Sequence, residues 1–304
     1  TAEEYEDRLF GSNGYVSKFY DEMTHGKVQF DADVRGWYTF PEPGSAYNDP
    51  SYNYCFVSDS VIANEMAELY QFDLYDYDMI ISISNCEEYE NLGGISDGTL
   101  EAQGFEFIRI MGHYDRLGVY SESSYTDWPG LVWNMNHEIG HAMGNIGVGH
   151  ANGYNCGDTT LGYNGDTFGT NYCHNLMYGN PFDAMGDWGG RIFGLFTQRA
   201  AGWITDLDIL DIYDSGQYSI NNLQAPSGIV GARIYLPGTN TALFAVEHRK
   251  SEGFDSALSI GDGSASDGLM LYTNRSDEWR IIDPHATNLP FKDDVRNDSI
   301  SEEN

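Results

Sequence analysis

The chain has 304 residues, and its 15 Lys and Arg face 47 Asp and Glu, a formal charge of −32 at pH 7. That balance argues against a nucleic-acid partner, whose phosphates need Lys and Arg, and against docking on anionic lipid. No apolar run of about 18 residues is present, so no transmembrane helix is expected, while 41% apolar residues suffice for a globular core in one large domain or two smaller ones.

Residues 1–50 are polar and aromatic, with Pro41, Pro43 and Pro50 near their end, and read as an entry segment with one strand at Trp37–Phe40. Ser60 is placed to cap a helix through about Tyr70, because Val61, Ile62, Met66 and Leu69 follow helical spacing. Asp78–Ser84 reads as a buried strand and Phe105–Met111 as an alternating one. A helix is expected from Trp128 to about Gly144, with Pro129 in its first turn, where a missing N–H costs nothing. Residues 145–190 are rich in Gly, Asn, Tyr and Asp and nearly aperiodic; so long a stretch inside a compact domain points to function or to pinning by metals or disulfides. A short helix follows at about Phe193–Ala201. Beyond Trp203, Ile209–Tyr213, Tyr218–Ile220, Ala232–Leu236, Leu243–His248 and Leu269–Tyr272 are short β-like runs separated by Gly, Pro, Asn and Asp. A domain boundary is placed near residue 205, and residues 292–304 read as an acidic tail. No internal repeat is visible.

The four cysteines, Cys55, Cys86, Cys156 and Cys173, include no CxxC pair, which argues against a zinc ribbon or a thioredoxin motif. Three pairings are open, of which Cys55–Cys86 with Cys156–Cys173 is the simplest. A chain with 35 Gly, 22 Tyr and only four Lys (Lys18, Lys27, Lys250, Lys292) reads as loop-rich and water-facing. Together these features favour disulfides and an oxidising, extracellular compartment, each bridge restricting the unfolded chain by about 3 kcal/mol. No signal peptide is visible at Thr1, and a chain already processed would not carry one.

The segment His137-Glu138-Ile139-Gly140-His141 carries the most chemistry. Two His four residues apart share one helical face, and their imidazoles can grip one zinc ion at about 2.0–2.1 Å. Glu138 on the same helix can reach a water at the metal without being a ligand, take its proton as the hydroxide attacks an amide carbonyl, and pass that proton to the leaving amine. The plainer reading is an exposed helix with two solvated His. Leu131, Val132, Trp133 and Met135 before the motif and Ile139, Ala142 and Met143 after it make this helix largely buried, where unpaired His and Glu are costly without a metal. Gly144 lies three residues past His141, as in the HExxHxxGxxH signature; Gly147 occupies the third-His position, and the next His is His150, three residues later. Extended chain from Gly144 to His150 spans about 20 Å, so reach permits His150 as third ligand. Asp158 and His174 are its rivals.

His137–Gly144, the run His150-Ala151-Asn152-Gly153 and Tyr178-Gly179-Asn180-Pro181-Phe182-Asp183-Ala184-Met185-Gly186 together resemble the gametolysin-type metzincin metallopeptidases. Ala201-Gly202-Trp203-Ile204 is similar to the end of the helix that follows their Met-turn. Phe244-Ala245-Val246-Glu247-His248-Arg249 with Gly253-Phe254-Asp255 resembles their β-rich C-terminal region. The resemblance spans about residues 75–285. It implies His150 as the third zinc ligand, Met185 as a packing floor beneath the three His, secretion, protein cleavage with matrix or cell-wall proteins as substrates, and an N-terminal inhibitory propeptide removed in the mature enzyme. No Tyr directly follows Met185, so an astacin-like Tyr switch is not expected.

The resulting expectation is an α+β protein. A metzincin-like catalytic domain (residues 1–205), with a twisted sheet and a long active-site helix, precedes a smaller sandwich-like β domain (206–291) and the acidic tail. The expected activity is a secreted, monomeric zinc endopeptidase with one catalytic zinc held by His137, His141 and His150, and Glu138 as general base and acid. It acts on protein or peptide, with no nucleic-acid or membrane partner. Asp262-Gly263-Ser264-Ala265-Ser266-Asp267-Gly268 is a candidate calcium loop, read otherwise as an ordinary turn, since it lacks a later bidentate Glu. A zinc amidase or glycan-processing enzyme, or a non-catalytic adhesive zinc module, are the alternatives.

Overall fold

The computed structural model describes residues 1–36, 59–85, 92–95, 106–112, 129–143, 149–155, 163–164, 167–168, 174–176, 178–180, 182–186, 191–257, 259–260, 264–265, 268–275 and 278–283. The elements make a mixed α+β protein whose chain divides into two compact units, Thr1–Gly147 and Val148–Asn304. All four cysteines, the expected strand at Trp37–Phe40 and the acidic tail lie outside the described residues.

In the first unit the entry segment begins with two helices that the sequence expectation did not place, α1 (Ala2–Leu9) and α2 (Tyr15–Thr24). Thr1 Oγ1 accepts the Glu4 N–H at 3.2 Å, Glu3 and Glu4 sit in the first turn and Arg8 in the last, all in the sense the helix dipole favours. In α2, Val16, Phe19, Tyr20 and Met23 are buried, an i, i+3, i+4, i+7 stripe. The helix ends at His25 in the left-handed region, φ 54°. Helix α3 spans Asp59–Tyr70, opening one residue before the expected Ser60.

Strands β1 (Met79–Asn85), β2 (Leu92–Ile95) and β3 (Glu106–Gly112) form a sheet in the order β1-β3-β2. β1 and β3 run parallel, Met79 opposite Glu106 through Asn85 opposite Gly112, and β2 pairs antiparallel to β3 from Leu92 opposite Met111. β2 has no counterpart in the sequence expectation: four residues with Gly at two of them carry too little alternation to register. Helix α4 (Pro129–Ala142) begins on the proline, as expected, and packs on β2, β3 and α2.

The second unit contains β4 (Gly153–Asn155), the ribbon β5 (Tyr163–Asn164) with β6 (Thr167–Phe168), β7 (His174–Leu176), α5 (Leu195–Ala200), β8 (Ile209–Ile212), β9 (Gly231–Tyr235), β10 (Ala242–Arg249), the ribbon β11 (Ser259–Ile260) with β12 (Ser264–Ala265), β13 (Gly268–Arg275) and β14 (Glu278–Asp283). Seven strands join in the order β7-β4-β14-β13-β10-β9-β8. β4 is parallel to β14 and β8 parallel to β9; the remaining neighbours are antiparallel. The expected sandwich is therefore corrected: among the described residues the β-like runs form one mixed sheet with two-stranded ribbons beside it. The sheet takes in β4 and β7 from the aperiodic stretch, so the composition change near residue 205 falls inside this unit. Tyr218–Ile220 is not a strand; Tyr218 is exposed and its hydroxyl donates to the Asp214 carbonyl at 2.7 Å, a local bond that competes with pairing. The core is Phe182, Ala245, Met270, Tyr272 and Ile281, with Phe196 and Trp279 against it, these two rings stacked with centroids 4.4 Å apart.

Candidate metal centre

Helix α4 owes its fixed position to apolar residues at helical spacing. Met135 and Ile139 are fully buried, and the stripe they form carries His137 and Glu138 into the interior with them. Tyr20 of α2, itself buried, donates its hydroxyl to the Asn136 carbonyl at 2.8 Å. Burial pushes that phenol well above its ordinary value of 10.0, so it stays a donor. Tyr20 thus clamps the turn that bears the histidines.

His137 and His141 project from one face with Nε2 atoms 3.1 Å apart and ring centroids 4.8 Å apart at 82°. Two metal–nitrogen bonds of about 2.0–2.1 Å at a tetrahedral angle set their nitrogens about 3.3–3.4 Å apart, so the pair stands close to the separation that a shared cation requires. Glu138 is 7% exposed, and desolvation pushes its carboxyl up to about 7. A carboxyl tuned near neutrality both accepts and returns a proton readily, which suits acid–base work; a cation beside it pulls the value down again.

His150 lies in the run that leads into β4, and backbone bonds tie that run to the turn bearing Met185. The Ala151 N–H donates to the Met185 carbonyl at 2.8 Å, and the Asn180 N–H to the Ala151 carbonyl at 3.1 Å. Asn152 Oδ1 accepts the Tyr178 N–H at 3.1 Å, and the His150 ring lies over the Tyr178 ring, centroids 3.9 Å apart. The turn is held by side-chain oxygens: Asn180 Oδ1 accepts the Phe182 N–H at 3.0 Å and Asp183 Oδ1 the Met185 N–H at 2.9 Å. Asp183 Oδ2 accepts the Gly194 N–H at 2.9 Å and the Thr197 hydroxyl. Burial pushes the Asp183 carboxyl up, and Thr197, Met185, Gly194 and the charge of Arg249 pull against it. Met185 is fully buried. At Gly186 only glycine fits, since a Cβ there would lie 2.0 Å from the Asn180 carbonyl oxygen.

His137, His141 and His150 each offer one ring nitrogen, and these three lie within 4.8 Å of one another, a group able to hold a metal ion. Three neutral imidazoles form the donor set of a zinc site with a fourth position left open. The rival Asp158 and the His174 side chain lie outside the described residues, as does most of the candidate calcium loop; Ser264 and Ala265 of that loop form β12. Sequence reasoning assigned no role to Tyr20, Asn152 and Tyr178, which touch the histidine-bearing segments, or to Thr197, which donates to Asp183 in the Met185 turn. Asn152 and Tyr178 stood inside quoted motifs, whereas nothing local marks Tyr20 as reaching a residue 116 positions away. Among the described residues no helix is long and apolar enough to cross a membrane. Comparison with protein-family models, curated proteins and solved structures yields no match.

Proposed function

We propose that the protein is a secreted, metzincin-like zinc endopeptidase, in which His137, His141 and His150 hold the ion and Glu138 moves the proton. The observation that carries this reading is the set of three converging imidazole nitrogens with a buried carboxyl on the same helix. When bound, zinc supplies Lewis acidity toward a peptide carbonyl and toward water. Glu138 takes a proton on a side-chain oxygen from the water that attacks the carbonyl carbon, then delivers it to the leaving amine nitrogen as the C–N bond breaks. Its burial keeps competing solvent from the carboxylate. The buried Met185, joined through its carbonyl to Ala151, supports the His150 backbone rather than serving as a ligand. A non-catalytic zinc module would have no use for a buried carboxyl on the helix that bears two of the ligands. Extracellular location, supported by the Lys-poor, acid-rich composition, and protein substrates, implied by the metzincin resemblance, belong to the same proposal.

The test is Glu138→Gln. The variant retains stoichiometric zinc by mass spectrometry, while casein hydrolysis falls by about 10²–10⁴-fold. Hydrolysis at the native rate overturns the assignment of Glu138, and absence of zinc from the native protein overturns the whole reading.

A further inference from the structure

A second buried polar group lies in the seven-stranded sheet unit. Arg249 at the end of β10 has no exposed surface. Its Nε and Nη2 each donate to Asp255 at 2.7 Å, its Nη1 donates to Glu247 Oε1 at 3.1 Å, and its Nη2 also reaches the Ile192 carbonyl at 3.3 Å. Glu247 and Asp255 are equally buried. Burial opposes the charge on Arg249, but Asp255 and Glu247 outweigh it and hold the guanidinium protonated. Such a cluster is weak evidence for stability, because well-packed apolar residues often serve as well or better.

Besides the Tyr272 hydroxyl on Glu247 Oε1, two further bonds of the cluster go to one segment of backbone. Asp255 Oδ1 accepts the Ile192 N–H at 3.2 Å, and Glu247 Oε2 accepts the Leu195 N–H at 2.6 Å. Between them the Gly194 N–H goes to Asp183. Helix α5 opens on Gly194, which has no capping side chain, so Asp183 and Glu247 satisfy its first amides instead. Gly194 admits this approach because it lacks a Cβ, which would stand 2.8 Å from Asp183 Oδ2. Asp183 then binds the Met185 N–H, and Met185 binds the amide next to His150. Hydrogen bonds joined by short backbone steps therefore run from the sheet to the amide beside the one metal-group histidine that is not on α4. An isolated loop would have to order His150 at the moment of metal binding; a loop tied to a buried cluster is ordered beforehand.

Resting on the zinc reading above, we propose that Glu247, Arg249 and Asp255 are positioning residues for His150, acting through residues 192–195 and the Met185 turn. Spatial continuity alone does not establish coupling, so the test reads the metal directly. Zinc affinity of the full chain is measured by competition with a chromophoric chelator, and the cobalt(II)-substituted protein gives a ligand-field spectrum. Folding is checked for every variant by near-ultraviolet circular dichroism. Glu247→Gln and Arg249→Lys are expected to weaken zinc binding about 10–100-fold, the range of changes behind a metal ligand, and to move the cobalt spectrum toward that of His150→Ala. Ile209→Ala, a buried change on β8 outside the bonded series, is expected to keep the native affinity and spectrum. Tyr272→Phe removes only the hydroxyl that donates to Glu247 Oε1 at 2.9 Å; it moves both readouts in the same direction and serves if the charge variants fail to fold. Folded variants with native zinc affinity and native cobalt spectrum overturn the proposal and leave the zinc reading intact. A native protein that binds no zinc overturns both, and loss of zinc in His137→Ala beside native binding in Glu247→Gln and Tyr272→Phe overturns only this one.

Discussion

At the scale of single residues, the two kinds of histidine in the metal group differ in what holds them. His137 and His141 are fixed by a helix, where one turn sets their separation whatever else the chain does. His150 is fixed by its neighbours: a backbone bond from Ala151 to the Met185 turn and a ring contact with Tyr178. The replacements should separate accordingly. His150→Ala is expected to bind zinc at least tenfold more weakly while the Nε2 pair on α4 still offers two ligands, and His137→Ala or His141→Ala to lose zinc more completely. Zinc remaining stoichiometric and tight in His150→Ala, with loss in His174→Ala, would transfer the third-ligand role to His174. Gly186→Ala should lower thermal stability and zinc affinity together, because the added Cβ collides with the Asn180 carbonyl at the base of the same turn.

Among elements, the contact of greatest consequence is α2 against α4. Helix α2 buries the stripe Val16, Phe19, Tyr20 and Met23, and the Tyr20 hydroxyl donates to the Asn136 carbonyl of α4. Tyr20→Phe keeps the ring and deletes the bond, so it should cost about 1 kcal/mol of stability near neutral pH. The same residue sets a pH dependence. Burial raises the Tyr20 phenol well above 10.0 and the Tyr5 phenol to about 12. Above the unfolded value, an unfolded chain releases these protons while the folded one retains them. The stability they contribute is therefore complete below about pH 10 and lost as pH rises toward the folded values. Urea midpoints measured upward from pH 10 should fall for the native protein and fall less steeply for Tyr20→Phe. Parallel slopes would show that Tyr20 does not titrate on unfolding.

For the whole molecule, charge dominates. With −32 formal charges, a chain at low salt attracts cations over long distances, since the screening length is about 30 Å at 0.01 M and about 8 Å at 0.15 M. Lys-rich peptides are therefore expected to be cleaved with higher kcat/KM than matched Glu-rich peptides at low salt, and the advantage should shrink as salt is added. Equal rates at low salt would remove any steering role. A thiol assay on denatured, unreduced protein tests the compartment: no free thiol is expected from Cys55, Cys86, Cys156 and Cys173, and four would contradict an extracellular site.

Sequence alone determined what depends on residues close together in the chain. The α4 helix and its Pro129 start, the spacing that places His137 over His141, the parallel-sheet strands β1 and β3 and most strands beyond residue 205 are all written in local periodicity. The stripe of α2 was equally local, yet it was obscured by the polar composition around it. Tertiary structure decided what depends on distant partners. It set β4 beside β14 and so turned an expected sandwich into one mixed sheet. It bound Tyr20 to a carbonyl 116 residues away. It also gave the run Glu247-His248-Arg249 its partners at Ile192, Leu195 and Asp255, which no repeat or spacing announces. The reason is physical: a helix or strand satisfies its backbone by a rule of fixed spacing, whereas a buried charge or hydroxyl must be satisfied by whatever the folded chain brings to it.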